Sequence, residues 1–114
     1  MEQDAHELLL CLSFLYLTAG RERRALALAL VAESLAPDDP GMLRMLAHTL
    51  IENNQAARAL DVLAKLERTE GRSPGVLLLR SRALHRNGHR IEARRVFRDY
   101  VDSSGIQLPV TEIV

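Results

Sequence analysis

Tryptophan is missing from this sequence, and its aromatic content is two tyrosines and two phenylalanines in 114 residues. A β-sandwich draws on aromatic and β-branched side chains, so leucine and alanine must fill this core, which suits closely packed helices. A single cysteine, Cys11, excludes an internal disulfide framework and a cysteine-rich zinc site. It sits in an apolar run and reads as a small buried hydrophobe. An excess charge of either sign is also absent, because 15 Lys and Arg balance 15 Asp and Glu. Nucleic acid is therefore not an expected partner. The longest apolar run, Leu8 to Leu17, is far short of the about 20 residues that a membrane helix takes. Glu2, Asp4 and Glu7 precede it where a secretory leader would carry basic residues. A soluble cytoplasmic protein without membrane insertion is the expectation. Glycine-rich phosphate loops and Ser-His-Asp or Cys-His groupings are lacking, so neither catalysis nor a cofactor is expected. His85 and His89 have a metal-binding spacing, but Gly88 interrupts the helix they would share, and no metal is expected.

What the sequence does have is a period. Ala25, Ala59 and Ala93 are 34 residues apart, as are Gly20, Asn54 and Gly88, and Ser13, Ala47 and Ser81. Pro40-Gly41 and Pro74-Gly75 keep the same step, and Pro37, Gly71 and Gly105 close each unit with helix-ending residues. The apolar fraction of 47% and the length suit one domain that buries roughly two thirds of its unfolded surface. Helices are expected near 5–19, 22–36, 40–53, 56–69, 74–87 and 90–103, in three pairs. Asp39 before Pro40 and Ser73 before Pro74 put a side-chain acceptor at the N-cap and a proline at the first helical position. Gly20, Asn54 and Gly88 can take the positive φ that ends the first helix of each pair.

A step of 34 with small residues in register resembles the tetratricopeptide helix-turn-helix repeat. Leu12, Ser13 and Tyr16 are similar to the family's leucine, small residue and aromatic on its first helix. Ala25, Ala32 and Pro37 are similar to its alanines and closing proline. The second unit offers Leu46, Ala47, Leu50 and Ala59. The third offers Ser81, Leu84, Ala93, Phe97 and Tyr100, with Arg80 where a leucine is expected. The resemblance implies an all-α fold of three tandem repeats in a short right-handed superhelix, spanning 1–105 with units near 6–39, 40–73 and 74–105. Leu12, Ser13, Tyr16, Ala25, Ala47, Ala59, Ser81 and Ala93 are its repeat-packing residues. Residues 106–114 follow as an apolar tail that either frays or covers the last helix.

The first helix is apolar on more than one face, with Leu9, Leu12 and Tyr16 on one and Leu10, Phe14 and Leu17 on another. By the resemblance, the second stripe lines a partner-binding groove with Arg44, His48 and Ile51 from the second unit and Leu78, Arg82 and His85 from the third. Three apolar anchors at helical spacing suit an amphipathic helix or apolar peptide. Only Arg82 matches the clamp by which some relatives of this repeat hold a C-terminal carboxylate. Eight arginines (Arg72, Arg80, Arg82, Arg86, Arg90, Arg94, Arg95 and Arg98) fall within 72–98 beside one acid, Glu92, while the first twenty residues hold no Lys or Arg. Such a run is either a solvated face or a dock for an acidic partner. Asp38 and Asp39 read as helix-capping carboxylates.

The whole chain is similar to the YscY-type chaperones of bacterial type III secretion. The similarity lies in its length, Glu7-Leu8-Leu9-Leu10, Asn53-Asn54-Gln55, and Arg82-Ala83 through Asn87-Gly88 to Glu92-Ala93-Arg94 and Tyr100. The resemblance implies a cytoplasmic chaperone that binds a small secreted subunit of the YscX type and helps present it to the export gate. Competing readings are a chaperone of the needle subunit or of translocators, a scaffold bridging two folded proteins, and a homodimer in the absence of a partner.

Overall fold

Helix starts and stops fall where the local chemistry puts them. The computed structural model describes residues 2–105, with side chains from Asp4 onward. The tail 106–114, expected to fray or to cover the last helix, lies outside the described residues. Six helices follow one another: α1 Glu2–Thr18, α2 Glu22–Leu35, α3 Pro40–Glu52, α4 Ala56–Glu70, α5 Pro74–Arg86 and α6 Arg90–Ser104. There is no strand among the described residues.

Three turns, after α1, α3 and α5, are built alike. Gly20, Asn54 and Gly88 have φ of 78°, 60° and 86°. At each, the next residue's N–H (Arg21, Gln55, His89) returns to a carbonyl in the last helical turn (Tyr16, Leu50, Leu84) at 2.8, 2.8 and 2.9 Å. This satisfies carbonyls that a helix end would otherwise leave bare. Those same three residues accept the first bonds of the following helix, from Ala25, Ala59 and Ala93. One helix thus ends and the next begins within a few residues, which forces each pair antiparallel. The longer links carry the caps. Asp39 Oδ2 accepts from the Met42 N–H at 2.9 Å, and Ser73 Oγ from the Val76 N–H at 3.4 Å, each with proline opening the helix.

Packing runs in sequence. α1 pairs with α2, α3 with α4 and α5 with α6, and the hairpins join through α2 with α3 and α4 with α5. The first helices of each pair also meet, α1 with α3 and α3 with α5, giving an elongated body of 50 × 26 × 22 Å. The core centres on α3, whose Met42, Leu43, Leu46, Ala47, Leu50 and Ile51 are buried together with Ala29, Ala59, Leu63, Leu66 and Val76. Ser13 is buried without polar penalty because its hydroxyl donates to the Ala25 carbonyl at 2.8 Å. Arg80, in a leucine's place, is half-buried and donates to Glu67 Oε2 of α4 at 2.8 Å.

Two sequence expectations are corrected. Cys11 is exposed, not buried, since it lies on the side of α1 on which no helix stacks. Asp38 caps nothing; its carboxylate meets Lys65 Nζ at 3.1 Å, while Asp39 alone caps α3.

Candidate functional site

The expected groove residues do not share one environment. Phe14, His48 and Arg82 stand 34 apart on α1, α3 and α5, which pack in that order, so they form a row across the array. Phe14 is 50% exposed, and His48 and Arg82 are half-buried. On the neighbouring row Leu10 is half-buried against the core, Arg44 is exposed and Leu78 half-buried. Leu17 is half-buried and His85 exposed, but Ile51 is wholly buried. Ile51 therefore belongs to the core and offers a partner no surface, because α3 has helices on several sides. Ser13, Ala25, Ala47, Ala59, Ser81 and Ala93 are buried. Leu12 and Tyr16 are only half-buried although their counterparts Leu46 and Leu50 are buried, since among the described residues α1 packs on α2 and α3 alone.

The arginine run divides in two. Arg82 donates to Glu52 at 2.6 Å, and Arg86 lies 3.8 Å from the same carboxylate. Arg72 bonds Asp99 at 2.8 Å, Arg80 bonds Glu67, and Arg44 bonds Glu70. Arg80, Arg82 and Arg86 tie the third hairpin to the second, whereas Arg44 and Glu70 join the two helices of one hairpin; being partly wet, these pairs contribute about 0–1 kcal/mol each. Arg90, Arg94, Arg95 and Arg98 have no acidic partner among the described residues. Along α5 and α6, Arg82, Arg90, Arg94 and Arg98 flank a groove of about 910 Å³ floored by Leu78, Ala93, Phe97 and Val101.

A second surface is absent from the sequence reading. Leu8 and Leu15 are each 59% exposed and, with Cys11 between them, form a stripe at helical spacing along the outer side of α1. The signal was available in the period itself. Leu8 is the counterpart of Met42 and Val76, and Leu15 of Thr49 and Ala83, all four of which are buried.

Electrostatics are local. Burial opposes ionisation of Asp39, but the Met42 N–H, the His6 ring and the Arg44 guanidinium outweigh it, and its pKa falls below the usual carboxylate value. His6, buried on α1 and not singled out from the sequence, reaches Asp39 Oδ2 through Nε2 at 3.2 Å and ties the first helix to the α3 cap. Burial, then the positive charge of Arg82, lowers the pKa of His48 against a smaller opposing pull from Glu52. Among the described residues no three His, Cys, Asp or Glu side chains gather as metal ligands, and no helix is long and apolar enough to cross a membrane. No protein-family model matches this chain, and no curated protein matches it.

Proposed function

We propose that this chain is a tetratricopeptide-repeat protein of three units that holds a small apolar polypeptide without catalysing a reaction. By its resemblance to the YscY-type chaperones, it acts in the bacterial cytoplasm on a small secreted type III secretion subunit of the YscX type, and the export gate receives the pair. The observation that carries the reading is Phe14, half-exposed at the apolar end of the row it shares with His48 and Arg82. An aromatic ring left in water beside half-buried Leu10 and Leu17 is the kind of anchor on which interface energy concentrates. Arg82 and Arg44, each tied to a glutamate, give that row a polar border that favours register and encounter over raw affinity.

The tagged chain, expressed in its native host, is expected to copurify stoichiometrically with one small secreted subunit. Recovery of only large folded enzymes would sink the reading. Phe14→Ala is expected to weaken that complex by about 2 kcal/mol, chiefly through faster dissociation. The circular dichroism spectrum should not change, because half of Phe14 already lies in water. Full affinity in Phe14→Ala would move the partner away from this row.

A further inference from the structure

Each hairpin buries its outer positions against the hairpin before or after it, and among the described residues the first and last hairpins each have one side on which no helix packs. On α1 that side shows Leu8 and Leu15, whose counterparts in α3 and α5 are covered completely. On α6 it shows Phe97, 43% exposed, whose counterparts Leu63 and Ala29 are fully buried. Repeat arrays ordinarily end in polar caps, since an unstacked hairpin leaves its apolar face wet. Among the described residues each end instead leaves large apolar side chains wet, Leu8 and Leu15 at one and Phe97 at the other.

We infer that the chain stacks head to tail on a second copy of itself, the outer side of α1 in one molecule entering the α5–α6 groove of the next. The period supplies the fit, because α1 carries at Leu8 and Leu15 the positions that α3 and α5 bury against the hairpins before them. Charge supplies the direction. α1 has Asp4 and Glu7 exposed and no Lys or Arg, whereas Arg90, Arg94 and Arg98 on the groove wall lack acids of their own among the described residues. Like ends repel or fail to match, and opposite ends attract. Such a contact uses different surfaces on the two molecules, so it propagates into chains and does not close at a symmetric dimer. The groove shares Leu78 and Arg82 with the partner-binding row, but the contact is tested at Leu15, Arg94 and Arg98 and not at Phe14, so the two readings fail separately.

The test is the mass of the full chain by sedimentation over a range of concentration and salt. Mass should rise with concentration and fall as salt screens the arginines. Leu15→Lys spoils the head, and Arg94→Glu with Arg98→Glu spoils the groove; each protein alone should be a monomer. Their equimolar mixture should give a species of two chains and nothing larger, since one sound head meets one sound groove. Three results overturn the inference. One is a wild type that stays monomeric at every concentration, as cover of the groove by residues 106–114 of the same molecule would produce. Another is either variant associating as the wild type does, which marks a symmetric dimer or another surface. The last is a mixture that remains monomeric while both variants keep their helical spectra.

Discussion

Small residues in the core leave no slack. Ala59 is wholly buried among Leu63, Leu66 and the α3 side chains. Ala59→Leu inserts three heavy atoms there and is expected to cost about 1–3 kcal/mol, read as a lower urea midpoint with an unchanged slope. His48 makes a prediction of the opposite kind, in pH. Its folded pKa lies below the ordinary histidine value of about 6.5, so the unfolded chain binds the proton more readily. Stability should therefore decline as pH falls below about 6.5 and stop declining once the folded state protonates as well. His48→Gln should flatten that part of the profile, and an unchanged profile would reject the assignment. At this scale the sequence was a partial guide. The spacing of Leu10, Phe14 and Leu17 gives a face of a helix, but burial depends on what packs there. Ile51 shares the register of Leu17 and ends in the core because α3 is surrounded; Cys11 and Leu15 end in water because α1 is not.

Helix boundaries were the most legible feature, and the reason is that caps act over four or five residues. Positive φ at Gly20, Asn54 and Gly88, and side-chain caps at Asp39 and Ser73, need no knowledge of the rest of the chain. Gly88→Ala meets no atom within 4 Å, so its cost is backbone strain alone, about 1–2 kcal/mol by thermal unfolding. A loss near zero would mean the α5–α6 turn relaxes to another form. Asp39→Ala removes the α3 cap and the oxygen that His6 meets, and is expected to lose about 1–2 kcal/mol in urea. Because the folded Asp39 pKa is depressed, its contribution is complete above the ordinary carboxylate range and disappears as pH falls through the folded value. The alanine variant and the wild type should therefore converge in stability at strongly acid pH. The beginning of α1 was harder to place: it starts at Glu2, several residues before the expected position.

For the whole molecule, the period of 34 foretold stacked hairpins, yet the ties between them were invisible to it. Arg82 and Glu52 are 30 residues apart, and Asn53 Nδ2 reaches the Glu22 carbonyl across 31. Only the three-dimensional stacking brings such pairs together, so a run of arginines that looked uncompensated in sequence is half neutralised. The same stacking makes the helices unequal. α3 touches α1, α2, α4 and α5, whereas among the described helices α6 packs on α5 alone. Opening α6 gives up one contact surface; opening α3 dissolves the body. Backbone amides should record this as a gradient under native conditions. Those of α6 should exchange with solvent deuterium first through a small opening, those of α1 next, and those of α3 only when the entire chain unfolds. Uniform protection from α1 to α6 would show an all-or-none body instead. If the gradient holds, the molecule breathes from its ends while its centre stays closed.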